Sequence, residues 1–277
     1  PEILLDMRLP EGASLKASER EAARLARFLD ERKGEMEHYA YYVGKGAPRF
    51  VLTTTPQLPA SNYSQFVIVA KSAEARDGLI AALREELREN FPAVRTNMQT
   101  IQTGPPAEYP VMIRASGYDR EKVRALAGEV AELMRADPNY VDVHFDWNEK
   151  SQVMSLALDQ DKMRALGLSS HDVAMTLYTE ITGVSAAQYY RGDRTIDMVF
   201  RLKQADRDTL EKVKELPIGL PSGRYVPLSQ VAKISYQAED GLIWRRDLKP
   251  TITVQANIRT GTADDAAKKI YEKTAAL

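Results

Sequence analysis

The sequence predicts an α+β fold in which two units of the order β-α-β-β-α-β follow one another. Segments with the two-residue period of strands alternate with segments of helical period, and the same order begins again after Gly104-Pro105-Pro106. The second unit breaks off near Trp147 and resumes only with the alternating strand Thr251–Ile258. We therefore expect an inserted module between the halves of the second unit.

The first unit has clear strand and helix signals. Strands are predicted where apolar residues alternate with polar ones, and each helix follows a serine that is suited to cap it. In the first strand Ile3, Leu5 and Met7 share one face. The predicted strands are Ile3–Leu9, Met36–Val43, Tyr63–Lys71 and Val94–Ile101, and the helices run from Ser14 to Arg32 and from Ser72 to Pro92.

The second unit is predicted to be discontinuous. Its first half comprises the strand Val111–Ala115, a helix capped by Asp119 and the strand Val141–Trp147. Its second half is Thr251–Ile258 followed by a helix from Thr262 to Leu277. No final strand follows, so we expect that strand to lie beyond Leu277 or to be supplied otherwise, and we expect an exposed sheet edge without it.

The inserted module is predicted to be small and of mixed type. Gly167 suits the left-handed residue that ends a helix, and Ser169 with Asp172 forms a capping box for the next one. Arg191-Gly192-Asp193-Arg194 is a hairpin turn signal between two strands. The predicted elements are the strands Val153–Asp159, Ala187–Tyr190, Thr195–Leu202, Pro217–Leu220 and Val231–Gln237, and the helices Gln160–Leu166 and Asp208–Lys214.

The charge balance and the residue composition exclude several classes of function. The 277 residues include 38 basic and 39 acidic residues, so the net charge of −1 provides no field for nucleic acid or an anionic membrane. Cysteine is absent, which excludes disulfides and thiolate sites. No apolar run reaches the roughly 18 residues of a membrane span, and no charged-then-apolar segment in these residues predicts a secretory leader. Because the chain starts at Pro1 inside a strand pattern, we expect a piece of something longer.

Several runs resemble one protein family. YVDVHFDWNEKSQVMSLALDQDKMRALGLSSHDVAMTL, QYYRGDRTIDMVFR, SGRYVPLSQVAKISY and WRRDLKPTITVQANI, together with LLDMRLPEGASLKASE near the start, occur in the order found in resistance-nodulation-division (RND) transporters. The similarity is to their second large periplasmic loop, and within the family to the hydrophobe/amphiphile drug-efflux branch. It covers essentially the whole chain.

The resemblance implies a domain organisation that agrees with the predicted elements. Two porter subdomains, each ferredoxin-like, would comprise residues 1–104 and, discontinuously, residues 105–148 with 247–277. A small α+β docking subdomain would occupy residues 149–246.

The resemblance also implies a function. The chain would be the periplasmic porter and docking portion of a proton-driven multidrug efflux pump in a bacterial inner membrane. The parent would be a homotrimer that carries hydrophobic or amphiphilic drugs and works with a periplasmic adaptor (membrane fusion) protein and an outer-membrane duct. Two alternatives remain open: a relative that exports Cu(I) or Ag(I), and a free-standing periplasmic binding or adaptor protein.

Candidate drug contacts follow from a loop and a set of aromatic side chains. The resemblance implies a switch loop between two drug pockets at Gly44, Lys45, Gly46, Ala47, Pro48 and Arg49, and its glycines permit rearrangement of the backbone. Aromatic faces suit a hydrophobic guest. The predicted substrate-binding residues are Tyr39, Tyr41, Phe50 and Phe66, and the alternative that remains open is a plain surface loop with these aromatic side chains in the core.

Two further residue groups are interpreted as structural. Asp142, His144 and Asp146 share one strand face, but with a single histidine and no thiolate they indicate a solvated or interface face rather than a metal site. Methionine thioethers bind soft ions. The local spacing does not require such a role, and core packing is favoured for Met7, Met36, Met98 and Met112.

The remaining predictions concern partners and chemistry. The hairpin tip Arg191-Gly192-Asp193-Arg194 is either a docking point for the adaptor, as the resemblance implies, or a solvated turn. His38, His144 and His171 are scattered, and no serine elbow, phosphate loop or zinc signature is present. An acylphosphatase-like enzyme would be conceivable from the architecture alone, but architecture does not carry function. We predict no enzyme, no cofactor and no metal site.

Overall fold

The computed structural model describes residues 1–51, 54, 56–101, 108–207 and 209–274. Two compact units are present, one formed by Pro1–Ser151 with Glu239–Leu277 and the other by Gln152–Ala238. The predicted boundary at residues 104 and 105 lies outside the described residues, as do Gly104-Pro105-Pro106, Asp208 and Leu277. The division into three subdomains therefore stays a prediction.

The first sheet has the predicted order of elements. Its four strands are antiparallel and lie side by side as β2-β3-β1-β4. Ser14 and Ser72 cap the two helices by accepting from the backbone N–H groups of Ala17 and Ala75. The elements are β1 (Glu2–Arg8), α1 (Leu15–Asp30), β2 (Met36–Val43), β3 (Tyr63–Ala70), α2 (Ala73–Asn90) and β4 (Arg95–Thr100).

Strand alternation places the core on one face of this sheet. Ile3, Leu5 and Met7 are fully buried together with residues from both helices, such as Leu25 and Leu83. The intervening positions of β1 must point to the opposite face. That face carries the candidate site.

The second sheet is assembled from distant parts of the chain. Strand β14 lies between β5 and β6 and is antiparallel to both. Among the described residues β5 pairs only with β14, so its other edge has no partner strand there. The elements are β5 (Val111–Ser116), α3 (Arg120–Arg135), β6 (Tyr140–Phe145), β13 (Arg245–Arg246), β14 (Lys249–Ile258) and α8 (Ala263–Thr274).

Trp147 fastens the end of β6 to β14. Its indole N–H donates to the Thr251 carbonyl at 2.7 Å, and the Arg124 guanidinium lies 5.6 Å from the ring centroid. Asp146 adds two hydrogen bonds, since its carboxylate accepts from the Thr253 N–H at 2.9 Å and its own N–H donates to the Thr253 carbonyl at 3.1 Å. The predicted return of the chain to the second unit is therefore observed.

The other unit surrounds a separate small core that includes Met163, Val173 and Leu228. Gly167 has φ 71° and ends a helix, and Ser169 and Asp172 form the predicted capping box. A π-helical turn at Tyr178–Thr182 was not predicted. The elements are β7 (Lys150–Leu158), α4 (Gln160–Leu166), α5 (Ser170–Leu177), β8 (Val184–Arg191), β9 (Arg194–Phe200), α6 (Leu210–Lys214), β10 (Pro217–Gly219), β11 (Tyr225–Pro227), α7 (Leu228–Val231) and β12 (Ala232–Asp240).

Replacement of Trp147 by alanine should destabilise the larger unit. The side chain is 1% exposed, so its loss opens a cavity and leaves the Thr251 carbonyl without its donor. We expect a loss of about 3 kcal/mol or more in the free energy of unfolding, measured in urea. Trp244, which is 45% exposed, provides the control, and Trp244→Ala should cost less than about 1 kcal/mol. Equal losses for the two variants would contradict this account of Trp147.

Candidate functional site

Polar side chains form two cross-strand rows on the face of the first sheet that is opposite its helices. Asp6 on β1 is paired with Gln65 on β3 and Asn97 on β4. One step along the strands, Arg8 is paired with Tyr63 and Arg95. Since their neighbours in β1 face the core, these rows form a polar wall.

A cavity of about 540 Å³ lies against this wall. The segment Pro56–Ala60 and residues of the second sheet close its other sides. We call it the polar cleft, and its polar lining includes Asp6, Arg8, Asn97, Glu108, His144 and Asp146.

Asp6 is a half-buried residue whose carboxyl group is held by two donors. The Tyr63 hydroxyl donates to its Oδ1 at 2.6 Å, and the Gln65 amide donates to the same oxygen at 2.8 Å. Burial nevertheless raises the pKa of Asp6 above its ordinary value, against the lowering effect of these hydrogen bonds and of Arg8. The carboxyl group can therefore take up a proton more readily than an exposed aspartate.

Two other carboxyl groups of the polar cleft behave alike. Glu108 is exposed at the mouth of the cleft, but partial desolvation raises the pKa of its carboxyl group, and the negative charge of Asp6 raises it further. Burial also raises the pKa of Asp146, although the Thr253 backbone donates to it. The polar cleft thus collects carboxyl groups with raised proton affinity, beside the guanidinium groups of Arg8 and Arg95.

His144 is held as a neutral imidazole. Burial lowers the pKa of its ring below the ordinary value. Its Nδ1 lies 2.5 Å from the Asp142 carbonyl oxygen, which can only accept, so Nδ1 carries the proton. The Tyr109 ring packs edge-on against it at 4.7 Å. His144 therefore has the neutral form in which histidine binds metals, and the Gln255 side chain is a further hydrogen-bond partner of the ring.

The sequence profile of the AcrB/AcrD/AcrF family matches residues 2–276. The chain belongs to this family. The predicted RND membership is thereby confirmed at the family level, and the family is one of transporters rather than enzymes. Among the described residues no helix is both long and apolar enough to cross a membrane.

Relatives of the chain carry names from metal resistance. Over 154 residues it is 28% identical to the cobalt-zinc-cadmium resistance protein CzcA of Cupriavidus metallidurans, covering 54% of this chain and 14% of CzcA. Over 232 residues it is 22% identical to the cation efflux system protein CusA of Escherichia coli, covering 82% of this chain and 22% of CusA. The chain thus spans less than a quarter of the length of these two relatives.

A crystal structure of a heavy metal efflux pump has the same fold. The two align with a TM-score of 0.78 at 21% identity, over 99% of this chain and 29% of the pump chain. The α+β class predicted from the sequence is confirmed. The predicted hydrophobe/amphiphile branch is not supported, because the relatives named above are metal-resistance and cation-efflux proteins.

The predicted switch loop is tied to the polar cleft. Gly44 has φ 79°, its N–H donates to the Tyr63 carbonyl, and its own carbonyl accepts from Ala60. A Cβ at Gly44 would lie only 2.7 Å from Leu15 Cδ1, so glycine suits this hinge. The Ala47 N–H donates at 2.7 Å to Gln65, the same amide that donates to Asp6. Hydrogen bonds of the Gln65 side chain therefore link the loop from Gly44 to Arg49 to Asp6.

The four predicted aromatic contacts divide into core and surface residues. Phe66 is fully buried in the core, where Tyr41 stacks on it at 5.0 Å and Tyr39 at 6.3 Å. The Tyr39 hydroxyl donates to Asp30 and to a backbone carbonyl of α1. Tyr41 and Phe50 are exposed. Their assignment to a substrate pocket stays a prediction.

Asp142, His144 and Asp146, which the sequence places on one strand face, do not all line the same cavity in the structure. His144 and Asp146 line the polar cleft, whereas Asp142 has φ 57° and lines a different cavity. Within the described ranges, no three acidic or histidine side chains lie close enough to hold a metal ion together. Met7 and Met36 are buried in the core, and Met98 and Met112 are partly buried.

The hairpin predicted at residues 187–202 is a two-stranded ribbon with two different faces. Cross-strand pairing places Ala187 opposite Met198 and Tyr189 opposite Ile196 on one face. Gln188, which donates to Asp197, lies on the other face with Tyr190. We call β8 and β9 the amphipathic ribbon, and all of its residues are exposed in this chain. The predicted tip Arg191-Gly192-Asp193-Arg194 forms its turn.

Asp6 and Glu108 were missed as site residues in the sequence. The sequence does contain a signal for Asp6. Its neighbours Leu5 and Met7 face the core, so the carboxyl group between them must lie on the opposite face of the sheet. No local signal placed Glu108 beside it. Their proximity depends on the pairing of β1 with β4, whose Asn97 amide donates to the Glu108 carbonyl at 3.2 Å.

Asp6→Asn should change the pH dependence of stability. The pKa of Asp6 in the folded chain is raised above its ordinary value of 3.8, so the contribution of the neutral acid is present below that value and is lost as pH rises through the folded pKa. The variant, which cannot ionise, should gain stability relative to the wild type between about pH 3 and pH 7 in urea unfolding.

Asp30→Asn is the matched control for this measurement. Hydrogen bonds from Tyr39 and Lys33 lower the pKa of the exposed Asp30, so its contribution appears only as pH rises toward 3.8. Relative to the wild type, this variant should lose stability as pH rises toward 3.8, and the difference should then stay constant at higher pH. A pH-independent difference for Asp6→Asn would disprove the raised pKa.

Proposed function

We propose that the chain is the periplasmic, substrate-facing part of an inner-membrane RND efflux pump that exports metal cations, and that the polar cleft lies on the cation's path. The observation that carries this is the donor set of the cleft. Carboxylates and a neutral imidazole are the ligands that divalent transition metals of intermediate softness accept. The names of CzcA and CusA support the same cargo.

His144 supports the proposal in detail. Metal-binding histidines usually donate their other ring N–H to a carbonyl or carboxylate, which fixes the tautomer. The Asp142 carbonyl takes this role for Nδ1. A cation that displaced the Gln255 side chain would meet an oriented Nε2, with Asp6, Glu108 and Asp146 as oxygen donors on the surrounding walls of the polar cleft.

Weak binding suits transport. No chelate of three acidic or histidine groups forms among the described residues, so a cation would be held by few protein ligands at a time. A path must bind its ion well enough to admit it and weakly enough to release it. Raised proton affinity of the carboxyl groups favours release, because protons compete with cations for the same oxygens.

The methionines favour a divalent cation over Cu(I) or Ag(I). Soft monovalent ions select thioether ligands. Met7 and Met36 pack in the core of the first sheet, where they serve the hydrophobic cluster. The cation proposed is therefore of the cobalt, zinc, cadmium or nickel type.

Amphiphilic drugs are the second candidate cargo. The exposed side chains of Leu58 and Trp244 line the same polar cleft and offer an apolar surface to a guest. This observation keeps the drug hypothesis testable beside the metal one.

The two cargos can be separated in cells. The full-length pump gene that contains this stretch would be expressed, with its adaptor, in a bacterium from which endogenous RND pumps have been deleted. We expect higher minimum inhibitory concentrations for cobalt, zinc, cadmium or nickel salts. Glu108→Gln and His144→Gln should abolish most of that gain, because each removes a donor from the polar cleft.

Glu89→Gln is the control, since Glu89 is exposed and lies outside the lining of the polar cleft. It should leave metal resistance unchanged. Resistance to amphiphilic dyes and detergents without resistance to any metal would replace the proposed cargo by the second candidate. Resistance to metals that survives both cleft variants would remove the polar cleft from the path.

We propose further that the amphipathic ribbon is where the adaptor of such a pump docks. Its apolar face bears Ala187, Tyr189, Ile196, Met198 and Phe200. Exposed contiguous apolar surface of this kind is typical of protein interfaces. The tip supports the choice, since Arg191 and Arg194 are paired on that face and like charges directly opposite are unfavourable without an acidic partner.

Single cysteines can test which face docks, in a pump whose other segments have been made free of cysteine, because this 277-residue chain has none. Tyr189→Cys lies on the apolar face and Tyr190→Cys on the polar face, at sites that are 57% and 69% exposed. In pumps assembled with the adaptor, we expect maleimide labelling of Cys at position 189 to slow at least about tenfold relative to pumps without it. Labelling at position 190 should change little, and equal protection of both sites, or of neither, would contradict docking through the apolar face.

A further inference from the structure

The π-helical turn at Tyr178–Thr182 continues α5 and leads directly into the amphipathic ribbon. Its closing hydrogen bond has the spacing of a π-helix, since the Gly183 N–H donates to the Tyr178 carbonyl at 2.9 Å. Turns of this kind are rare and occur frequently at functional sites. The proposed cation path and the proposed docking face make no use of this turn, so it points to a further role.

The turn holds the base of the amphipathic ribbon at both of its strands. Before β8, Gly183 has φ 99°, and a Cβ there would lie only 2.5 Å from Val199 Cγ1. After β9, the Leu202 N–H donates to the Glu180 carbonyl at 3.1 Å. Ile181 and Leu202 both pack against the small core. The position of the ribbon's base therefore depends on this turn staying closed.

Glu180, in the middle of the turn, carries an atom in an unfavourable environment. Its Oε2 is inaccessible to solvent, and no described residue forms a hydrogen bond with it, although the side chain as a whole is half-buried. A carboxylate oxygen in this position loses its hydration without compensation. Since nearly all buried polar atoms in proteins are bonded, such an exception requires a specific reason.

No charged neighbour compensates for the burial of Glu180. The charged residues on the segments that adjoin the turn are His171 and Asp172 on α5, Asp197 on β9, and Arg201 and Lys203 next to Leu202. Neither these nor any other described charge contributes to the pKa of Glu180, which burial alone raises above its ordinary value of 4.5. The neutral acid is therefore the form that fits the closed turn.

We infer that protonation of Glu180 holds the base of the amphipathic ribbon against the small core, and that ionisation of Glu180 allows this base to open. The proton is the ligand of this device, and the π-helical turn is the element that moves. The opening is local, because Ile181 and Leu202 only border the small core. The device does not depend on which partner docks on the ribbon.

The effect of pH has a definite sign. Because the pKa of Glu180 is raised in the folded chain, the stability that the neutral acid contributes is present below 4.5 and is lost as pH rises through the folded pKa. The base should therefore be most firmly closed in acid and should open more often near neutrality. A carboxylate that is stabilised by a donor in the closed turn would give the opposite sign.

Hydrogen exchange of single amides, followed by NMR in the purified 277-residue chain, measures this opening. The exchange rates of the Leu202 and Gly183 N–H groups are compared with those of an unstructured peptide at the same pH, which removes the intrinsic effect of pH. We expect their protection to fall as pH rises from about 4 to about 7.5. The midpoint should coincide with that of an NMR titration of Glu180 Cδ. The N–H of Leu228, which donates to Leu216 in the same unit, should keep its protection.

Glu180→Gln keeps the shape of the side chain and removes its charge. Near neutral pH it should raise the protection of the Leu202 N–H about fivefold or more and make it independent of pH, because a neutral amide costs less to bury than a carboxylate. Glu211→Gln is the matched control, since Glu211 is an exposed acidic residue of the same unit. This control should behave as the wild type does.

Three results would overturn the inference. Protection of the Leu202 N–H that does not change with pH in the wild type would remove the proton from the device. The same pH dependence in Glu180→Gln would assign the effect to another group. An equal fall in protection at Leu228 would make the opening global. The wild-type titration alone decides the first and the third of these, so the test stands even if Glu180→Gln fails to fold.

Discussion

The pairing of β14 between β5 and β6 is the interaction on which the candidate site depends. This strand returns from a distant part of the sequence and is buried over most of its length. Asp146 and Trp147 bond to it directly, and Gln255 lies opposite His144. One wall of the polar cleft therefore exists only after the chain has closed this long-range contact, which joins folding of the second sheet to assembly of the site.

The first sheet supplies the other wall of the polar cleft. One of its faces packs in the hydrophobic core, and the other lines the cleft. One face buries aliphatic side chains under two helices, and the other buries Asp6 with Tyr63 and Gln65. A buried carboxyl group costs free energy unless it is neutral or well bonded. A carboxyl group in the middle of a sheet strand lowers the stability of the fold, and such unfavourable groups are typical of functional sites.

Local signals predicted most of the elements, and long-range contacts account for what was missed. Ser14, Asp119 and the Ser169–Asp172 box act within one helical turn, so the sequence was sufficient to place them. Asp6, Glu108 and His144 line one cleft only because the strands pair, and no local pattern encodes that pairing. Asp142 and His144 lie apart because the positive φ of Asp142 breaks the strict alternation of β6. The sequence pattern did not predict this backbone conformation. The family could be recognised from sequence runs, whereas the choice of the drug branch rested on resemblance without any cleft residue to support it.

Gln65 joins the switch loop to the polar cleft, and this has a thermodynamic consequence. Its carbonyl oxygen accepts from Ala47 in the loop, while its amide nitrogen donates to Asp6. One amide thus lies in both hydrogen bonds, and the bond to Asp6 lowers the pKa of that carboxyl group. If a movement of the loop displaced Gln65, the pKa of Asp6 would rise, and by linkage protonation of Asp6 would bias the position of the loop with equal magnitude.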